Sequence, residues 1–375
     1  MLKASQNNNL LGKPLVVIAL LDWGLGHLTR SVPIIRHLTD SQFHVIVACT
    51  EVQKSLLIRE FEEIEFVSCE GYGISYRKNA WLTRLGLMFQ TPKILTKIKE
   101  EHKWLTEFLS QKQVSLIISD NRYGFYSSQI PSVIITHQLQ IQTGLGSWIN
   151  SWVNKMNYQR LAKFRECWVP DFETGINCAG SLSHPVKRPG FPVRYLGALS
   201  RMQFCEPMVV KKTKVVVLLS GPEPQRTLLE NLFLAQVAGM KETSFVLVRG
   251  LPKEQALPSF RSNNLVVLNH LPSTELNALI CSSKYVIGRS GYTSVMDYLK
   301  LRARAILVPT PGQAEQEYLA SYLETQQLAI RVEQNHFDLA NMIKKADSFA
   351  FQPFERNMDL YKDQITEFLA TVPMV

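Results

Sequence analysis

Residues 20–30 read LLDWGLGHLTR. An apolar run ends, Gly24 and Gly26 follow with one residue between them, and His27 stands where a helical pattern begins. A glycine turn of this kind lets backbone N–H groups come close to a ligand. An imidazole there adds a group that takes or gives a proton near neutral pH, so the pattern predicts chemistry more than cofactor holding. A dinucleotide fingerprint fits only in part. Thr29 occupies the place of its third glycine, although Glu51, after the next apolar run, could serve as the ribose acid. The plainer alternative is a tight strand-to-helix turn in which His27 only caps.

Similar polar clusters follow other apolar runs. SDNRYG (119–124) crowds Asp120, Asn121 and Arg122 onto one run end, and THQLQ (136–140) does the same with His137 and Gln138. In the second half, LSGPEPQR (219–226) offers backbone donors at Ser220 and Gly221 and a cation at Arg226, while Pro222 and Pro224 remove two N–H groups. GRSGYTSVMD (288–297) is the strongest of the set. Arg289, Ser290 and Gly291 lead through Tyr292 and Thr293 into a helix whose free N–H groups and partial positive charge suit a phosphate. Arg289 would add charge-assisted hydrogen bonds. Asp297, two turns further on, would accept both hydroxyls of a ribose. VPTPGQAEQEYLA (308–320) carries Gln313, Glu315 and Gln316, groups suited to sugar hydroxyls. Each cluster taken singly also fits a solvated Asx turn, a structural histidine or an ordinary helix cap. Several on one edge point to a shared site.

The elements that must position these groups are legible as periodicity. Val- and Ile-rich runs at 14–21, 43–49, 64–68, 114–119, 132–136 and 167–169 alternate with helical patterns at 28–39, 92–110 and 147–165. A second series at 213–220, 244–248, 264–268, 285–288 and 304–308 alternates with helical patterns at 226–239, 273–283, 292–300 and 313–324. Continuous apolar strands between helices predict parallel sheets covered on both faces. The fold class is therefore α/β, with two doubly wound, Rossmann-like domains facing a cleft. The expected division is an N-terminal domain over 1–205, a C-terminal domain over 206–352 and a final helix within 353–375 that packs back on the first domain. Ligands of such sheets bind at the carboxyl ends of the strands, where the polar clusters lie.

Composition narrows the class. The chain has 375 residues, 46% of them hydrophobic and 19% charged, with a formal net charge of +9. No apolar run approaches the roughly 18 residues that span a bilayer, and the first apolar stretch reads as a strand more than a signal peptide. A cytoplasmic location is expected. The six cysteines (Cys49, Cys69, Cys167, Cys178, Cys205, Cys281) lack metal or disulfide-framework spacing and read as free thiols. The positive charge favours anionic partners, but scattered basic residues without a recognition motif argue against nucleic acid. The mixed basic and apolar segment 77–104 could lie on an anionic membrane surface at the inner face. An amphipathic helix pair with its apolar side in the core is the commoner meaning of such a segment.

Together the clusters resemble the GT-B glycosyltransferases, and among them the N-acetylglucosaminyltransferase family that completes the lipid-linked disaccharide of peptidoglycan. GLGH matches that family's glycine turn at Gly24, Gly26 and His27, and THQLQ loosely matches its acceptor-domain strand end. GRSGYTSVMD matches the helix start of its nucleotide domain, with Asp297 in place of glutamate. Gln316 and Ala320 match a later pair, with Leu319 where asparagine is common, and LSGPEPQR departs from the glycine-rich opening of that domain. DWGLGH, SDNRYG and SGPEPQR are also similar to stretches of bacterial glycosyltransferase-like proteins of unassigned substrate.

The resemblance implies a nucleotide-diphosphate-sugar donor, a UDP-sugar such as UDP-GlcNAc foremost, held by Ser220, Gly221, Arg226, the 289–293 turn, Asp297, Gln313, Glu315 and Gln316. It implies His27 as general base toward an acceptor on a lipid-linked or cell-envelope glycan, inversion at the sugar, and no metal or other cofactor. Gly24, Gly26, Asp120, Asn121, Arg122, His137 and Gln138 would line the acceptor side. A nucleotide-sugar 2-epimerase of the same fold type, using Asp120 and Glu315, and a non-catalytic sugar-nucleotide-binding protein are the alternatives.

Overall fold

The computed structural model describes residues 12–22, 24–61, 64–72, 91–144, 146–204, 211–251 and 256–373, with backbone alone at 91–92 and 211–213. Most of the apolar runs form strands buried on both faces, while those at 64–68 and 264–268 become partly exposed edge strands. β1 (Leu15–Leu20), β2 (His44–Cys49), β3 (Glu65–Ser68), β4 (Leu116–Asp120), β5 (Ser132–Ile135), β6 (Glu166–Val169) and β7 (Val193–Tyr195) pair in parallel in the order β3-β2-β1-β4-β5-β6-β7. β8 (Lys211–Leu218), β9 (Ser244–Val248), β10 (Leu265–Leu268), β11 (Ser283–Gly288), β12 (Ala305–Leu307) and β13 (Ala329–Arg331) form a second parallel sheet, ordered β10-β9-β8-β11-β12-β13. In each sheet the chain winds outward one way, then returns to wind the other. The crevice at that reversal lies between the ends of β1 and β4 in the first sheet, and of β8 and β11 in the second. It is where such sheets take their ligands.

Helices α1 (Leu25–Asp40), α2 (Glu51–Leu57), α3 (Thr91–Leu109) and α4 (Ser147–Leu161) belong to the first half. α5 (Gln225–Val237), α6 (Ser273–Cys281), α7 (Tyr292–Lys300), α8 (Ala314–Thr325), α9 (Leu339–Ser348) and α10 (Leu360–Leu369) belong to the second. The first sheet ends at Tyr195 and the second begins at Lys211, so the division expected near 205 falls between them. The sequence reading missed β7 and β13, each a three-residue edge strand. Prolines crowd β7, which made its segment look like an interdomain crossing. The helix read to residue 165 stops at Leu161.

α10 packs against the first domain. Tyr361, Ile365, Phe368 and Leu369 join the core formed by β1, β2, β4 and α1, with Phe368 edge-on to Trp168 at 5.1 Å. A separate apolar core runs across the domain boundary, joining Phe172, Ala179 and Leu182 of the first half to Tyr292, Met296 and Leu319 of the second. The domains are therefore bonded by packing as well as by chain.

Two expectations change. Residues 77–90 of the basic, apolar segment lie outside the described residues. Its remainder is largely α3, whose Leu105 is buried beside Phe125 and Val17, with Trp104 and Phe108 packed on the same core. That apolar face is turned inward by the sheet it covers. Among the cysteines, Cys49, Cys69, Cys167 and Cys178 are free and buried. Cys281, half-buried at the end of α6, is disulfide-bonded instead of free, and Cys205 lies outside the described residues.

Arg122, expected on the acceptor side, is fully buried away from the cleft. Its Nε donates to Glu101 Oε1 at 2.7 Å, and its Nη1 donates to Leu20 O at 3.2 Å. Glu101 also accepts from Tyr72 Oη at 2.9 Å and Gly124 N at 3.2 Å. This pair pins the turn after β4 to the end of β1. Removing one partner of a buried ion pair leaves the other uncompensated. Glu101→Gln should therefore cost about 3 kcal/mol, read as a lowered urea midpoint, while the milder Lys103→Gln on the exposed face of α3 should leave the midpoint in place.

Candidate active site

Gly24 begins α1 with φ 78°, a left-handed value that favours glycine. The chain turns there from β1 into the helix, so His27 falls in the first turn and Arg30 one turn later on the same face. β1 and β4 are adjacent, with Leu20 opposite Asp120, and this register brings His27 to Asp120 across 93 residues of sequence.

Asp120 is completely buried. His27 Nδ1 lies 3.1 Å from its Oδ1. Arg30 Nε donates to both carboxylate oxygens at 3.0 Å, and Arg30 Nη2 makes a further contact with Oδ1. Ser31 Oγ adds a longer bond of 3.4 Å to Oδ2. Burial alone would push the Asp120 carboxyl up, but the Arg30 charge foremost, together with the Arg30 and His27 donors, overcomes it and holds the group at about 2. Asp120 is a fixed anion. For His27 the balance runs the other way. Burial lowers its pKa and Arg30 adds to that, against the upward pull of Asp120.

His27 is therefore a neutral imidazole near neutral pH. In the tautomer whose Nδ1 donates to Asp120, Nε2 is an acceptor with no hydrogen-bond partner among the described residues. An imidazole oriented this way by a carboxylate can remove a proton from a hydroxyl.

His137, at the end of β5, accepts from Arg30 Nη1 at its Nδ1 (3.1 Å), and its Nε2 meets Glu315 Oε1 of the second domain at 2.9 Å. Gln138 Nε2 donates to the other Glu315 oxygen. Burial raises the Glu315 carboxyl, yet His137, Arg30 and His27 bring it below its ordinary value. The Tyr292 ring stacks on His137 at 4.0 Å, and its hydroxyl donates to Pro170 O. Asn121 sits at φ 55° with its side-chain amide beside Arg30 Nη2 at 3.3 Å. Thr293 Oγ1 donates to Gly26 O at 3.2 Å, and a Cβ on Gly26 would come within 2.9 Å of that oxygen. The glycine is required by this close approach of α7 to the start of α1.

Across the cleft, Ser220 and Gly221 stand exposed at the end of β8, Gly221 at φ 96°. Gly291 caps α7 with open space where its side chain would be. Ser290 Oγ donates to Gln316 O at 2.7 Å, tying the starts of α7 and α8 together. Gln316 Oε1 accepts from Thr310 N at 2.9 Å, and its Nε2 donates to Gln313 Oε1 at 2.5 Å.

Two arginines sit otherwise than expected. Arg289 is buried and gives its donors to Val308 O (3.1 Å), Pro309 O (3.3 Å) and Gln225 O (2.7 Å), and burial lowers its pKa to about 10. Arg226 is buried between Glu223 and Glu230, both at 2.6 Å. Both act as braces for the loops and do not face the cleft. Arg30, which the sequence reading passed over, carries the site. Its signal was the three-residue spacing from His27.

Asp297 lies buried on α7, its Oδ1 accepting from Ser200 Oγ at 2.6 Å. Burial raises its pKa to about 6, against the lowering by Arg201 and Ser200. The folded chain thus binds more protons here than the unfolded chain between about pH 4 and 6, and stability falls as pH rises through that window. Asp297→Asn should be nearly neutral at pH 4 and more stable than the parent by about 2–3 kcal/mol at pH 7, measured by urea unfolding at both pH values.

Among the described residues no three or more His, Cys, Asp or Glu stand together as metal ligands, and no helix is long and apolar enough to cross a membrane. Residues 219–369 match the glycosyltransferase family 28 C-terminal domain. No curated protein sequence matches the chain. Among solved structures it is similar to the glycotransferase of kitacinnamycin, at 13% identity and TM-score 0.63 over 95% of this chain and 94% of that one. The spinosyn rhamnosyltransferase SpnG complexed with thymidine diphosphate aligns at 14% identity and TM-score 0.58, over 96% and 97% of the two chains. UGT2 of Phytolacca americana, complexed with UDP-2fluoro-glucose and pterostilbene, aligns at 14% identity and TM-score 0.59, over 96% and 99%. Residues 219–369 thus carry a glycosyltransferase family 28 C-terminal domain, and over about 95% of its length the chain has the two-domain fold of the GT-B glycosyltransferases.

Proposed function

We propose that the protein transfers a sugar from a nucleoside-diphosphate donor, a UDP-sugar such as UDP-GlcNAc foremost, to a hydroxyl of a lipid-linked or cell-envelope glycan. The observation that carries this reading is the His27–Asp120 pair at the end of the first sheet, facing the α7 start of the second across a 3.2 Å contact. The base and the anion-binding helix end are near enough to serve one reaction.

The diphosphate would rest on the backbone N–H groups at the start of α7 and on the Ser220–Gly221 turn. Arg289 would act by bracing that turn, not by touching phosphate. These preorganised donors would stabilise the charge that grows on the leaving nucleotide. Asp297 would accept the ribose hydroxyls, and Gln313, Glu315 and Gln316 those of the donor sugar. His27 Nε2 would take the acceptor proton as its oxygen attacks the anomeric carbon from the face opposite the leaving group, giving inversion. In this proposal no metal takes part. The thymidine diphosphate held by SpnG and the UDP-sugar held by UGT2 favour a pyrimidine-nucleotide donor. The net charge of +9 favours an anionic acceptor such as a diphosphate-linked lipid.

Thermal-shift screening against UDP-, dTDP-, GDP- and CDP-sugars checks the donor, since a ligand bound to the folded state raises its melting point. UDP-GlcNAc should give a shift that Asp297→Ala removes. His27→Gln should keep that shift and lower turnover roughly a hundred- to ten-thousand-fold. EDTA should leave turnover of the parent unchanged. Interconversion of the donor without any acceptor would mark a 2-epimerase instead.

A further inference from the structure

Arg30 has no role in the reading above beyond its contact with Asp120, yet it is the most connected side chain in the site. It is 2% exposed, a buried cation on the first domain's first helix. Its Nε spans both oxygens of Asp120. Its Nη1 is given to His137 Nδ1 at 3.1 Å, which leaves His137 Nε2 to donate to Glu315. Its Nη2 lies 2.9 Å from His27 Nδ1 and also against Asp120 Oδ1. With the His27 proton on Nδ1, two N–H groups, one from Arg30 and one from His27, converge on a single carboxylate oxygen.

That convergence decides where protons can sit. A second proton on His27 would place an imidazolium beside a guanidinium in a buried site, with one carboxylate to serve both. The other ionisable groups facing His27 do not relieve this. His137 from the end of β5 already holds an Arg30 proton, and Glu315 of α8 is engaged by His137 and Gln138. Tyr292 of α7 gives its proton to Pro170 O.

We infer that Arg30 is a positioning residue for the base. Its guanidinium fixes Asp120, holds His27 in the neutral form with Nε2 unprotonated, and links that state through His137 to Glu315 of the donor-side domain. This rests on His27 being the base. The burial that lowers the His27 pKa is supplemented by Arg30 and opposed by Asp120, so both consequences of losing Arg30 act in one direction. The repelling charge goes, and Asp120 is left free to pair with an imidazolium.

The test is an NMR titration of the histidine imidazoles in the full chain, with His27 assigned by its absence in His27→Gln. In the parent, His27 should carry its proton on Nδ1 and titrate below the ordinary histidine value. In Arg30→Gln its pKa should rise by about one unit or more. Arg30→Lys keeps the charge but loses the fork, and should raise it less. If Arg30→Gln folds poorly, the Arg30→Lys titration alone still decides. A His27 pKa unchanged in a folded variant would overturn the inference and leave Arg30 a packing residue. A parent His27 protonated on Nε2 would instead overturn the base role itself. Neither outcome depends on knowing the donor or acceptor, so failure here and failure of the transferase reading are told apart.

Discussion

A carboxylate with no water contact, Asp120, is what the first domain is built around. An ion of this kind is tolerated only when paired and fully hydrogen-bonded. The chain meets that demand with an arginine fork, an imidazole and a serine, all from the first turns of α1. To deliver them, α1 must start within one turn of β1, which the left-handed Gly24 permits. β4 must end level with β1, which the sheet register provides. The Arg122–Glu101 pair then holds the following turn so that Asp120 cannot swing outward. One buried charge thus dictates a turn, a register and a brace.

The second domain answers with different physics. The groups it turns toward the first domain's site are mostly backbone: the uncapped N–H groups of α7, the exposed Ser220–Gly221 turn, and the α8 start held by Ser290 and Gln316. Its arginines are withdrawn into loops, where they satisfy carbonyls or glutamates. Directional side-chain chemistry on one side therefore faces a field of oriented peptide dipoles on the other. Each suits a different partner: a hydroxyl that must lose a proton, and an anion that must be stabilised as it leaves.

Much of this was legible in the sequence because parallel sheets announce themselves. Their strands are unbroken apolar runs, and their chemistry collects at one end. His27, Asp120, His137 and Glu315 were each visible as residues that did not belong to packing. Their pairing was not, because it depends on β4 lying beside β1, a neighbour relation set by crossovers instead of by local pattern. The arginines failed for another reason. A guanidinium at a turn reads the same whether it faces solvent or the interior. Arg122 is decided by Glu101, which lies 21 residues earlier on α3. Arg226 could have been caught, since Glu230 stands one helical turn on, at the spacing of an intrahelical ion pair. β7 and β13 were too short to show a period at all.

Because α10 returns to seal the first domain's core with Phe368 against Trp168, the polypeptide passes between the lobes twice, once after β7 and again before Leu360. Two tethers side by side behave unlike one. A single strand lets a lobe swivel and twist freely. A pair forbids most of those motions and leaves rocking about the line that joins them. Any rocking of one lobe against the other is thereby confined to one arc.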